Sequence, residues 1–291
     1  MSSVPSQLWV DVCANLSNRE FADDLDDVVA AAVEVGVTGV VMPASDLADA
    51  RRIEAIAGSL PNEMWCATPV GVHPWAVSEE LLASDGSGDL DAGCASEMIE
   101  LVTGAASSRS AWIGEIGLDY CDGCPADREV QRRAFRAQLR LAFTHGWRVY
   151  LHCRDAFDDF VADLSDEAKA AGVPISGILH CFTGSSTQAA ALVDLGLHIG
   201  VTGMATAKGR LGRELREAIV AAVPLTSLMV ETDAPWLLPR IKSVQKAAKD
   251  GKRNEPRFLP ALAAPLAAAY GVALDEFARQ TTANAEALFR R

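Results

Sequence analysis

The sequence predicts a single-domain α/β fold, a TIM-type (β/α)8 barrel spanning residues 1–291 with its core at 9–289. Two observations carry this expectation. Eight short apolar runs, at 8–13, 39–42, 65–72, 111–116, 149–152, 177–180, 198–201 and 228–231, alternate with helical patterns such as 23–35, 127–144 and 211–223. Such alternation marks parallel βαβ units, and eight right-handed crossovers close on themselves. The length of 291 residues suits one α/β barrel of roughly 250 residues with additions. A doubly wound open sheet is the runner-up. No G-x-G-x-x-G follows a strand, and Gly86 and Gly88 sit in a polar Asp/Ser/Gly stretch.

Taken in order, the runs end in chemically unusual residues. The third ends at His73-Pro74. The fourth holds Glu115 and leads to Asp119, the fifth ends at His152 followed by Arg154, the sixth ends at His180, and Asp233 follows the eighth. Active-site residues of such barrels gather where the strands end, so Glu115, His152, His180 and Asp233 are expected to converge on one mouth. A histidine alone is most simply a hydrogen-bonded core or rim residue. The paired contexts Val149-Tyr-Leu-His152-Cys and Gly177-Ile-Leu-His180-Cys, joined by Trp112-Ile-Gly-Glu115 and Val230-Glu-Thr-Asp233, favour a divalent-metal site instead.

Composition narrows the function classes. With 49% hydrophobic and 22% charged residues, the chain is neither disordered nor collagen-like. A net charge of −13 argues against binding duplex over the whole surface. Basic residues nevertheless cluster between Arg240 and Arg257, after the eighth strand, where barrel loops often hold phosphate, and Arg253 is the expected contact. His73 is a candidate to face substrate phosphate, and Asp119 and Arg154 to orient ligands or substrate. Arg128, Arg132, Arg136 and Arg140 recur every four residues on the helix at 127–144 and read as a solvated face paired with acids. The lone Cys121-Asp-Gly-Cys124 has no second pair and suggests neither zinc nor redox chemistry. The uncharged stretch 258–274 is broken by Pro260, Pro265 and Gly271, so no membrane span is expected. Residues 1–8 lack the features of a signal peptide, and seven cysteines cannot all pair, which fits a reduced cytoplasmic location.

Seven segments in order resemble the TatD-related metal-dependent deoxyribonucleases. They are Asp11…Asn15-Leu16, Gly71-Val-His-Pro74, Ile113-Gly-Glu-Ile-Gly-Leu-Asp119, Leu151-His-Cys-Arg-Asp155, Leu179-His-Cys-Phe-Thr-Gly184, Glu231-Thr-Asp-Ala-Pro235 and Arg253-Asn-Glu-Pro256. The resemblance implies a TIM-type barrel, divalent-metal dependence and phosphodiester hydrolysis. By motif, Glu115, His152 and His180 resemble metal ligands, and Asp233 resembles the ligand or base at the reacting water. Most relatives open with Asp-x-His-x-His. Here Cys13 and Asn15 replace both histidines, as in the TatD subgroup itself, so the second metal position is expected to be weak.

The resulting expectation is a cytoplasmic nuclease using Mg²⁺, or else Mn²⁺ or Zn²⁺, with nucleic acid as partner and no membrane association. Glu115 would bridge two metals, and His152 and His180 would anchor the tighter one. An acidic surface with one basic loop suits single strands or ends, so exonuclease action on single-stranded or frayed DNA is expected, with RNA as a further option, and the 3′ to 5′ direction is implied by the resemblance alone. Two alternatives stay open: an amidohydrolase-like enzyme acting on a small molecule, and an inactive partner-binding scaffold.

Overall fold

The computed structural model describes residues 7–104 and 111–290. The signal-peptide reading therefore falls largely on residues 1–6, outside the described residues. All eight runs form strands: β1 (Trp9–Asp11), β2 (Val37–Val41), β3 (Trp65–Ala67), β4 (Trp112–Asp119), β5 (Arg148–Arg154), β6 (Gly177–Leu179), β7 (Leu197–Val201) and β8 (Leu228–Val230). Between and after them lie α1 (Leu25–Glu34), α2 (Leu47–Ala57), α3 (Ala92–Thr103), α4 (Arg128–Thr144), α5 (Phe157–Ala171), α6 (Ser186–Asp194), α7 (Arg210–Ala222), α8 (Lys242–Ala247), α9 (Leu259–Tyr270) and α10 (Leu274–Phe289). β3 is shorter than expected because Pro69, which has no N–H, follows it; beyond it only Val70 bridges to Ile113. β4 is longer, reaching Asp119 through the pairings Gly117↔His152, Leu118↔Cys153 and Asp119↔Arg154. Gly117 makes that extension possible. Its φ is +152°, and a Cβ there would overlap the His152 carbonyl oxygen.

The described residues form two compact units. Among the described residues, unit one comprises 7–42, 56–67 and 180–290. In it β7 pairs with β8, β1 with β2 and β2 with β3, all parallel, and the Val12 N–H donates to the Val230 carbonyl at 3.2 Å. Trp9, Val40, Leu228, Met229 and Phe277 are wholly buried. Asn284 on α10 donates to the Leu225 and Leu228 carbonyls, both at 2.8 Å, fixing the start of β8. The uncharged stretch becomes α9, whose Leu259, Leu262 and Leu266 are buried, and it stops at Gly271 before α10. No single helix among the described residues is long and apolar enough to cross a membrane.

Unit two comprises, among the described residues, 43–55, 68–104 and 111–179, with β4, β5 and β6 parallel in that order. The buried face of α4 contains Val130, Ala134, Phe135, Leu139 and Ala142, and also Gln131 and Gln138. Both glutamines serve backbone that the ladder leaves unpaired. Gln138 accepts from the Val72 N–H at 2.8 Å, and Gln131 accepts from the Asp119 N–H at 2.8 Å and donates to its carbonyl at 2.9 Å. The arginine stripe pairs with acids as expected, but two of those acids are buried. Arg132 grips Asp163 through two bonds of 2.9 and 2.8 Å, Arg136 reaches Asp163 and Glu167, and Arg140 reaches Glu167 and Asp89. Asp163 and Glu167 are buried, so the stripe clamps α4 to α5 as well as facing water.

Candidate metal centres

Each unit carries its own cluster of ligand-bearing side chains. In unit two, atoms of His73, Glu115 and His152 lie within 4.8 Å of one another. β4 and β5 set the core of this arrangement, since Gly117 brings the two backbones close and places Glu115 beside His152. Glu115 Oε1 is 3.0 Å from His152 Nδ1 and 3.4 Å from His73 Nε2, and the two rings meet edge to face at 4.5 Å. The other nitrogen of His152, Nε2, is 3.2 Å from Asp119 Oδ2. Asp119 also accepts from Trp75 Nε1 at 2.9 Å and from the Cys121 N–H at 3.0 Å. Burial pushes the Asp119 carboxyl up, but the bonds from His152, Cys121 and Trp75 together hold it well below the usual carboxylate range. An imidazole backed by a carboxylate on one nitrogen and facing a cluster with the other is the arrangement by which proteins orient metal-binding histidines.

His73 is placed differently. Its Nδ1 accepts from the Trp75 N–H at 3.1 Å, which leaves Nε2 to carry the proton and donate toward Glu115. Arg154 lies exposed at the end of β5, with its side chain in no ion pair among the described residues.

In unit one, atoms of Cys13, His180 and Glu231 lie within 4.8 Å of one another. Glu231 immediately follows β8 and is wholly buried; its Oε1 accepts from the Cys181 N–H and stands 3.7 Å from His180 Nδ1. Its Oε2 is buried with no hydrogen-bond partner among the described residues. Burial, against the pull of His180 and reinforced by Asp233, pushes the Glu231 carboxyl up to about 8. Asp11 is also wholly buried and pushed up to about 7 by burial, although Thr232 donates to it from both Oγ1 at 2.5 Å and N at 2.8 Å. Buried carboxylates at this density are costly without a counter-charge, and a divalent cation supplies one. The donor set of thiol, imidazole and carboxylate suits such an ion.

Asp233 sits beside this cluster, its Oδ1 3.6 Å from Cys13 Sγ and accepting from Asn15 Nδ2 at 3.1 Å. Asn15 Nδ2 also donates to the Ala234 carbonyl at 3.2 Å, and two acceptors fix which way its amide faces. Asn15 thus positions Asp233 with its amide nitrogen. Glu231 was not singled out from sequence. The signal was present, because Glu231 and Asp233 stand two residues apart after an aliphatic strand.

Arg253 does not fit the expected phosphate contact. It is 6% exposed, and its donors are taken by Asp24 at 2.8 and 2.9 Å, Glu255 at 2.9 Å and the Glu20 carbonyl at 2.7 Å, with Phe21 beneath the guanidinium. A guanidinium so occupied ties the segment after β8 to α1's entry and has no fork left for a phosphate.

A (β/α)8 chain bearing carboxylate and imidazole clusters at its strands is built as a metal-dependent hydrolase. The sequence profile of the TatD related DNase family matches residues 10–290, and the chain belongs to that family. It is 36% identical over 279 residues to the "3'-5' ssDNA/RNA exonuclease TatD" of Salmonella typhimurium, covering 96% of this chain and 98% of that protein. The protein of the same name from Escherichia coli K12 matches at 36% identity over the same shares. Among solved structures, a TatD-family hydrolase from Entamoeba histolytica aligns with a TM-score of 0.79 at 24% identity, covering 99% of both chains. A TatD homologue from Escherichia coli K12 aligns at 0.76 and 24% identity, covering 97% of this chain and 98% of that one. These likenesses identify the fold as the TIM-type barrel that the strand and helix order predicts. The chain is a hydrolase that binds divalent metal and acts on nucleic acid.

Proposed function

We propose that the protein is a 3′ to 5′ exonuclease that prefers single-stranded DNA, accepts RNA, and works with Mg²⁺, with Mn²⁺ and Zn²⁺ as substitutes. The observation that carries this reading is the ligand cluster in each unit, half-buried in unit two and buried in unit one, above all the partnerless Oε2 of Glu231. The names of the relatives support the polarity and the single-stranded substrate. Glu115 and His152 would hold one ion, and His180 and Glu231 with Cys13 another, weaker toward Mg²⁺ because a thiol is poorly matched to a hard cation. Bound there, a divalent cation supplies Lewis acidity, drawing electron density from a phosphoryl oxygen and easing deprotonation of water.

The chain's own groups do the rest. Asp233, held by Asn15, takes or orients the proton of the attacking water. Asp119 keeps His152 in one tautomer. His73 would turn its Nε2–H from Glu115 to a phosphate oxygen once Glu115 holds the ion, and Arg154 offers an exposed cation at the end of β5. All seven cysteines are free thiols, which supports a reducing, cytoplasmic setting.

The test is digestion of single- and double-stranded DNA, labelled at either end, by metal-stripped protein with Mg²⁺, Mn²⁺ and Zn²⁺ restored one at a time. Loss of nucleotides from the 3′ end of single strands, dependent on added metal, is expected. Metal-independent cleavage, or none on any strand while a lactone or cyclic amide is hydrolysed, would overturn the proposal.

A further inference from the structure

Unit one carries a cleft of about 640 Å³ lined in part by Met204, Leu211, Leu237, Lys208, Arg210 and Arg240. It is assembled from the turn after β7, the start of α7 and the segment after β8. Arg216 of α7 donates to the Ala205 carbonyl, and Thr206 Oγ1 donates to the Gly203 carbonyl at 2.6 Å, so the turn after β7 is held in place. Leu237 lies four residues beyond Asp233, a chain length of at most about 14 Å. The cleft is therefore a near neighbour of the unit-one cluster.

Its surface is unusual in this molecule. Met204 is 41% and Leu211 77% exposed, two of five exposed large hydrophobic residues among those described. No acidic residue lines the cleft, although the chain has a net charge of −13. Lys208 and Arg240 are exposed and make no ion pair among the described residues, whereas Arg210 has Glu214 at 3.7 Å. Apolar surface for the faces of bases, with cations at the rim for a backbone of phosphates, is the combination by which proteins hold single strands without reading sequence.

We propose that this cleft holds the single strand of nucleic acid leading to the scissile end, with phosphates on Lys208 and Arg240 and a base against Met204 and Leu237. The inference rests on the nuclease reading above and adds the path of its substrate.

The experiment measures fluorescence anisotropy of a labelled oligothymidylate of about 12 nucleotides on the full-length, metal-stripped protein across a salt series. For the Lys208→Ala, Arg240→Ala double variant, binding should weaken about tenfold and the slope of log K against log salt should shrink by about 1.4, at 0.7 per single-strand contact. Met204→Ser should weaken binding about fivefold without changing the slope, because it removes apolar contact alone. Lys169→Ala, an exposed cation on α5, should leave both unchanged. Hydrolysis of bis(p-nitrophenyl) phosphate at saturating metal, a substrate too small to fill the cleft, should stay at the wild-type rate in every variant. Wild-type affinity and slope in the double variant would overturn the proposal, as would an acidic peptide or anionic vesicles competing as well as a strand of equal charge. If wild-type protein hydrolyses neither the small diester nor any strand, the nuclease reading fails, and the binding series still reports separately on the cleft.

Discussion

Replacing Asp119 by Asn tests whether the carboxylate behind His152 is needed to orient it. One oxygen of Asp119 receives Trp75 Nε1 and faces His152 Nε2, and the other receives the Cys121 N–H. An amide has a single acceptor oxygen. With that oxygen toward Trp75 and His152, the NH₂ group confronts the Cys121 N–H; turned over, it confronts the other two donors. Either way a charge-assisted bond to His152 becomes a neutral one or is lost, a change worth about 1.5–3 kcal/mol where one partner is ionised. Carried to the ion that His152 would hold, this predicts metal affinity and turnover lower by about 10- to 100-fold. Calorimetric titration of Mn²⁺ into the stripped variant, alongside single-strand digestion and circular dichroism, checks it. Wild-type affinity and turnover in a folded Asp119→Asn protein would refute the orienting role.

Arg253→Ala removes the counter-charge that Asp24 and Glu255 share, leaving Asp24 with Lys249 and Glu255 with Arg257. It should cost about 2–4 kcal/mol in urea unfolding while the salt slope of strand binding stays at the wild-type value. The Arg253 hydrogen bond to Asp24 holds that carboxyl at about 2, below the unfolded value near 3.9. Its contribution is therefore present above pH of about 4 and lost as pH falls through about 2, so wild type should lose more stability than Asp24→Asn over that interval. Gly200 makes room for Glu231, since a Cβ there would lie 2.9 Å from Oε2. Gly200→Ala should lower metal affinity at the unit-one cluster about tenfold by displacing that oxygen, with a stability loss of about 1–3 kcal/mol; calorimetry and thermal melting separate the two effects.

Strand order was legible because each run is a short apolar block closed by polar residues, and the repeat of that pattern carries the fold class. Boundaries were less so. The stop of β3 at Ala67 depends on Pro69, and the extension of β4 to Asp119 depends on what Gly117 permits against β5, a contact no local pattern encodes. At the clusters, Glu115, His152, His180 and Asp233 stood out through their strand-end contexts. Glu231 and Asp11 did not, because a single acid after an apolar run looks like an ordinary boundary until its burial is known. Arg253 misled for the converse reason. A basic segment after the eighth strand suggests an anion site, and only the fold brings Asp24 and the Glu20 carbonyl to its guanidinium. The buried Gln131 and Gln138 belong to the same class, polar residues whose partners are strand-end backbone far away in sequence.

On the function proposed above, these side chains hold the divalent ions on which hydrolysis depends. Crystals of the wild-type protein soaked in Mn²⁺, with diffraction recorded at a wavelength where manganese scatters anomalously, test it most directly. One anomalous peak is expected at coordination distance from Glu115 and His152, and a second, of lower occupancy, at His180 and Glu231. Anomalous density absent from both clusters, in a preparation that cleaves single strands with the same Mn²⁺, would contradict it.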